Sequence, residues 1–398
     1  GQVYDVHEAH YRRREIEVAD DRVARLVERG RPAPGDQVID VDGAFLLPGF
    51  IDCHAHLCMP TEAGNPDNPW RSSLPGDIAI YAAEAAKRTL LGGITTARDV
   101  GGWDYHEIAV RNAINRGRIL GPRLFCAGRL LSITTATVSY YPGMYEVADG
   151  PEAVRSAARK QLAHGADLIK VMATGALTSS EYEDPRAIQY TLEEITAAVA
   201  IAAENYKHCA AHAHALDGIR NAALAGCRSV EHGSFGDEAT YAVMAERGTY
   251  LVPTCCVTSA MLADNAVAAA VPAHVHKRYL EFDDIHLRNV ELARLTGVTI
   301  AMGTDAGTPG NHHGANTQEL VSMVRRTGMS AHEAVVASTI SAARLLGREA
   351  DLGSLEVGRF ADVVGFAEDP LARIEVVRDV RFVAKGGAVA RDDLRALS

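Results

Sequence analysis

Long apolar runs are missing from this 398-residue chain, and so is any cluster of basic residues. No stretch approaches the ~20 apolar residues that a membrane-spanning helix needs, so no membrane span is expected. With 40 Lys and Arg against 51 Asp and Glu, a net charge of −11 and no basic run, the chain lacks the electrostatic footprint of a nucleic-acid binder. The seven cysteines are odd in number and show no Cys-x-x-Cys spacing. A disulfide framework is therefore excluded, and reduced, buried thiols are expected, Cys255 and Cys256 among them. A signal-peptide pattern is also missing ahead of the first strand, so a cytoplasmic location is expected. Low-complexity tracts and internal repeats beyond a βα unit are absent.

What is present is an ordinary globular composition, 47% apolar and 23% charged with 35 glycines. The length suits a large α/β barrel plus a smaller module. From Phe50 onward, short apolar segments alternate with amphipathic ones. The strands expected are 50–57, 95–101, 123–128, 167–173, 208–215, 229–233, 249–255 and 299–306. Helices are expected at 77–91, 151–164, 191–204, 217–225, 237–246, 285–295, 317–326 and 331–346. Eight strands alternating with helices predict a parallel (β/α)8 barrel, a TIM barrel, over 49–351. Outside it, strands at 14–18, 22–27 and 38–41 and at 353–357, 362–366, 376–380 and 381–385 are each too few to bury a core. They are expected to pair, 1–48 with 352–398, into one composite β-sandwich-like module.

The chemistry is expected at the C-terminal strand ends. The first strand ends Asp52-Cys53-His54-Ala55-His56, and strand alternation puts His54 and His56 on one face, a metal-ligand arrangement. The fourth, Ile169-Lys170-Val171-Met172, sets one lysine in an apolar strand. A charged amine there is costly, so Lys170 must be paired, neutral or modified, and a neutral amine that adds carbon dioxide becomes a carbamate able to bridge two cations. The fifth strand repeats the first pattern with His212 and His214. The sixth ends Glu231-His232, where His232 takes the inward role if Val230 is inward and Glu231 then faces away, and the eighth ends at Asp305. Arg98 and Asp99 end the second strand and read as an ion pair at the mouth.

These residues resemble the amidohydrolase superfamily, through Pro48-Gly49-Phe50-Ile51-Asp52-Cys53-His54-Ala55-His56, Lys170, His212, His232, Gly303-Thr304-Asp305-Ala306 and the closing segment 352–364. The resemblance implies a (β/α)8 barrel and a hydrolase with two divalent metal ions, zinc first, with manganese, cobalt or iron as alternatives. It implies His54, His56 and Asp305 on one ion, His212 and His232 on the other, and N-carboxylated Lys170 bridging both. Asp305, Lys170 and His232 then carry the catalysis, in which a metal-bridging hydroxide attacks a carbonyl and Asp305 relays its proton to a leaving amine. Segments 169–175, 189–195 and 211–214 are most similar to prolidase-like, arginine/lysine-dipeptidase-like and phenylurea-hydrolase-like members.

Two departures fall on substrate-contacting positions. Where prolidase-like members carry Gly-Gly-His-Gly after the third strand, this chain reads 131–144, with Tyr140 and Tyr141; where they carry a tyrosine two residues past the strand-5 histidine, it has His214. His214, Tyr140, Tyr141 and His313, with its neighbour His312 in the loop after strand 8, are the substrate-binding candidates. The function expected is hydrolysis of a C–N bond in a small amide, dipeptide or urea. A lactone or ester hydrolase on the same site and a barrel scaffold without chemistry are the rivals. The partners expected are a small-molecule amide and further copies of the chain.

Overall fold

The chain opens with β1 (Gln2–Asp5), β2 (His10–Arg13), β3 (Glu15–Ala19), β4 (Arg22–Val27) and β5 (Phe45–Pro48) in the computed structural model, which describes residues 1–32, 34–60, 70 and 73–394. Nine strands follow in the middle of the chain: β6 (Phe50–Ala55), β7 (Ile94–Asp99), β8 (Arg123–Cys126), β9 (Leu130–Ser132), β10 (Tyr145–Val147), β11 (Ile169–Met172), β12 (Cys209–Ala215), β13 (Ser229–Phe235) and β14 (Tyr250–Val252). The chain closes with β15 (Val363–Phe366), β16 (Phe382–Lys385) and β17 (Ala388–Asp392).

Both chain ends enter one six-stranded sheet, in the order β17-β16-β15-β5-β1-β2. It is antiparallel except where β1 lies parallel to β5. Strands from both chain ends thus pair in one mixed sheet, with β3 and β4 as a separate hairpin. Three expected strands are not present. Residues 38–41 and 353–357 lie outside any strand, and 374–378 form a 3₁₀ turn. In that turn Ile374, Val376 and Val377 are all buried, a packing that strand alternation would not allow.

The middle strands form two parallel sheets, β6-β7-β8 and β10-β9-β11-β12-β13-β14, an α/β arrangement with a helix between most successive strands. Their helix-facing positions, Ile169, Val171, Ala211, Ala213 and Val230, share a core with Val154, Ala158, Ile195, Ala198, Ile219 and Ala222 of the covering helices. Each Ile or Val buried there contributes roughly 1.5–3 kcal/mol. Local signals set the helix ends. Thr191 and Glu194 form a reciprocal capping box at the start of Leu192–Glu204, and Gly226 and Gly248 take left-handed conformations that end Leu216–Ala225 and Glu238–Arg247.

The expected eighth strand, 299–306, is not one. It makes isolated parallel bridges, Ile300 with Leu251 and Ala306 with Ala55. The ladder breaks because Met302 donates its backbone N–H to the Ala337 carbonyl at 2.9 Å and Asp305 adopts a left-handed φ of 59°. Gly303 is wedged there: a Cβ would stand 2.3 Å from Val252 Cγ1 and 2.7 Å from His54 Cβ. Helix Ala273–Leu295 begins twelve residues before its expected start at Ile285, and His106–Asn115, Val257–Ala263 and Asn265–Ala270 are further helices. Among the described residues no helix is long and apolar enough to cross a membrane, and all seven cysteines are free and buried.

Candidate metal centre

Alternation on the parallel strands delivers the site. On β12, Cys209, Ala211 and Ala213 face the helices while His212 and His214 face inward and line a cavity. On β11, Ile169 and Val171 face the helices, so Lys170 between them enters the same cavity from the opposite face. His54 and His56 reach it from the end of β6, His232 from β13, and Asp305 from the loop beyond Gly303.

The ligand-capable side chains fall into two buried groups, His54 with His56 and Asp305, and His212 with His214 and His232. Within each group one candidate atom per residue lies within 4.8 Å of the others. The Asp305 carboxylate stands 3.3 Å from Nε2 of both His54 and His56. Burial pushes Asp305 upward, but His54 and His56 outweigh it and hold the carboxyl well below its ordinary range. For His56, burial pulls downward and Asp305 prevails, leaving the imidazole raised. In the second group burial dominates: His212 is pushed down to about 3, with Lys170 adding to the effect, and His214 and His232 lie well below the ordinary histidine value.

Each imidazole has one nitrogen tied into the protein. His54 Nδ1 donates to the Glu231 carboxylate at 2.8 Å and His56 Nδ1 to the Gly101 carbonyl at 2.9 Å. His212 Nε2 donates to the Gly175 carbonyl at 3.0 Å, and His232 Nδ1 shares a hydrogen bond with Thr254 Oγ1 at 2.8 Å. Because a carbonyl or carboxylate only accepts, the three first-named rings, when neutral, carry their lone pair on the other nitrogen. Outer hydrogen bonds of this kind orient imidazoles that ligate metals. Lys170 fits the same purpose: its Nζ is buried with no hydrogen-bond partner, and burial, aided by Arg98 and opposed by Glu231 and Asp305, pushes it down to about 8. An unpartnered buried amine at that value is a cost the fold carries unless the nitrogen is used. Imidazole and carboxylate donors grouped in this way suit a divalent metal ion.

Two sequence expectations are corrected. Glu231 does not face away: it lies fully buried beneath the site, where it accepts from Arg98 at 2.8 Å as well as from His54. His232 has a left-handed φ of 70°, which breaks the alternation and lets consecutive residues both turn inward. Arg98 is accordingly not the partner of Asp99. Neighbours on a strand point to opposite faces, and Asp99 instead accepts from the Leu57 and Gly101 backbone N–H groups at 2.8 and 3.0 Å. Burial raises Glu231, but Arg98, Lys170 and His54 hold it well below its ordinary range.

The cavity encloses about 850 Å³ of empty space including its open mouth. His214 and Tyr141 line it, while Tyr140 and His313 do not. His313 packs behind His56, its Nε2 meeting the His56 carbonyl at 3.2 Å, and His312 is exposed. The wall also uses Met144, Tyr145, Met172, Tyr279, Phe282, Asp283 and His286, most of which sequence reading missed. A signal existed for the last four. Tyr279, Phe282, Asp283 and His286 follow the i, i+3, i+4, i+7 spacing of one helix face.

Comparison with known proteins agrees with this geometry. Residues 45–391 match the amidohydrolase family. The chain is 34% identical over 368 residues to an ochratoxinase of Aspergillus niger, covering 86% of this chain and 75% of that protein. It superposes on a prolidase complexed with N-methylphosphonate-L-proline with a TM-score of 0.87 at 28% identity, covering 98% of both chains. For a Xaa-Pro dipeptidase with bound methionine in the active site the TM-score is 0.88 at 30% identity, again over 98% of both chains.

Proposed function

The chain belongs to the amidohydrolase family, as a hydrolase acting on carbon–nitrogen bonds, and from that premise we propose a binuclear metal-dependent enzyme cleaving a small amide or dipeptide-like substrate. The observation that carries the reading is the convergence of His54, His56, His212, His232 and Asp305 on one cavity with the unpartnered Lys170 amine among them. His54, His56 and Asp305 would hold one ion, His212 and His232 the other, and Lys170, carboxylated on Nζ, would bridge them; zinc is the ion proposed. When bound, such a pair of cations supplies an activated water nucleophile near neutral pH and polarises the scissile carbonyl.

The chain's own residues supply the rest. Asp305, kept ionised by His54 and His56, takes the proton of the attacking water and passes it to the leaving nitrogen. Glu231 and the Gly101 and Gly175 carbonyls hold the imidazole tautomers that leave a lone pair toward the cavity. The wall of Tyr141, Met144, Tyr145, Met172, Tyr279 and Phe282 favours bulky apolar groups beside the scissile bond and sheds water from them.

The two parallel sheets are read as arcs of one (β/α)8 barrel over 49–351, with the mixed sheet of 1–48 and 352–398 as its companion module. Support comes from both seams. Residues 299–306 bridge β14 at Leu251 and β6 at Ala55, and Asp167 donates its N–H to the Cys126 carbonyl at 2.7 Å, linking the end of β8 to the start of β11.

The test is Lys170→Ala with elemental analysis and turnover of an amide panel. Loss of bound metal with turnover falling to background is expected. Full metal content with wild-type turnover would end the proposal, and lactones cleaved in preference to amides would reassign the bond.

A further inference from the structure

Two His-x-His pairs serve the centre, one at the end of β6 and one on β12, and the reading above uses both members of the first alone. His54 and His56 share their group with Asp305, whereas His212 and His214 share theirs with His232. In the second group the ring centroids stand 4.7 Å (His212–His214), 4.6 Å (His212–His232) and 4.8 Å (His214–His232) apart. One nitrogen of each ring is already engaged, on the Gly175 carbonyl, on Ser234 Oγ and on Thr254 Oγ1 respectively. Three neutral imidazoles packed this closely, with no carboxylate in the group, bring electron-rich nitrogens together. A cation between them turns that repulsion into ligation.

His214 is also braced as a ligand is. Its Nδ1 lies 2.8 Å from Ser234 Oγ, which in turn lies 3.2 Å from His286 Nδ1. The Ser234 carbonyl accepts from Asn289 Nδ2 at 2.7 Å, so helix Ala273–Leu295 clamps the serine from two points. A side chain whose task is to follow a mobile substrate has no need of two successive fixed partners.

We propose that His214 ligates the second cation, completing a three-imidazole site with His212 and His232, with Ser234 and His286 as positioning residues. The assignment rests on the binuclear reading. It makes the two sites chemically unequal: the first is part anionic through Asp305, the second wholly neutral in its imidazole donors. The ion on the second site then keeps more of its positive charge for the substrate carbonyl.

The test titrates metal-free wild type, His214→Phe and Ser234→Ala with cobalt(II), following metal content and visible absorption. Wild type is expected to take two equivalents. His214→Phe should keep the first and bind the second about 100-fold more weakly with an altered spectrum, and Ser234→Ala should loosen the same step about tenfold. Two equivalents at wild-type affinity with an unchanged spectrum in His214→Phe overturn the assignment. If His214→Phe fails to fold, as its metal-free melting curve reveals, Ser234→Ala decides, and an unmoved second affinity there overturns it equally. A wild type that takes up no cobalt overturns the binuclear reading itself, and the two failures are thereby distinct.

Discussion

The two halves of the centre use the same side chain in opposite electrostatic settings. Around His54 and His56 stand Asp305, Glu231 and, behind Glu231, the buried Arg98. Around His212, His214 and His232 stand a backbone carbonyl and two hydroxyls. The result is a raised His56 on one side and three depressed imidazoles on the other. Burial acts in the same direction on all of them; Asp305 and Asp99, with the Gly101 carbonyl, raise His56, while neighbouring imidazoles and Lys170 lower the others further. One half is charged through Asp305, and the other is held neutral by burial.

The sharpest way to break this contrast is to remove the charge from the first half. Asp305→Asn keeps the shape of the side chain and takes away both the anionic donor and the proton acceptor. Turnover of amide substrates is expected to fall about 10³-fold, within the range that positioned proton transfer supplies. A loss of less than tenfold in kcat would mean that the proton travels by another group. The contrast itself predicts that the second cation stays bound in this variant, which elemental analysis checks.

Next in size is the support beneath each half. Glu231→Gln leaves the Arg98 guanidinium buried against a neutral amide, and Arg98 and Glu231 are both fully buried. Removing one partner of such a pair costs about 3–5 kcal/mol. Thr254→Ala, which removes the hydroxyl partner of His232, is expected to cost only about 1 kcal/mol. Denaturant midpoints of the two metal-free variants measure the gap. Equal losses would show that the halves are held alike after all.

How much of this was readable before the fold was seen follows from the same geometry. His54, His56, His212 and Lys170 were legible because regular strands send alternate residues to one face, and a lysine between Ile169 and Val171 has only the interior to enter. Glu231 was misread because that rule fails one residue later, where His232 turns left-handed. The eighth strand was misplaced for a related reason: the apolar pattern of 299–306 is a strand pattern, but the Met302 N–H is spent on the Ala337 carbonyl rather than on a neighbouring strand. Helical spacing puts Tyr279, Phe282 and His286 on one face, but nothing local says that this face turns to the site. Long-range partners of this kind, Asp52 accepting from Asn316 Nδ2 at 2.7 Å across 264 residues, exist only in the folded chain.

The pH dependence of stability separates the halves by sign. In the metal-free protein His212 is held at about 3 against roughly 6.5 when unfolded, so between those values the unfolded chain binds the proton that the folded chain refuses. Stability from this residue is therefore complete above about pH 6.5 and falls, on acidification, by about 1.4 kcal/mol per pH unit until pH nears 3. His214 and His232 act in the same direction. His56, being raised, works the other way: its contribution is present below its unfolded value and is lost as pH rises through the folded one. Melting temperatures of chelator-treated protein should thus drop between pH 7 and 5, with His212→Leu flattening that slope by about one proton, whereas His56→Gln should steepen the fall on acidification only above about pH 6.5. If both substitutions flattened the curve, the carboxylates around His56 would not be setting its charge, and the division of the centre into an anionic and a neutral half would be lost.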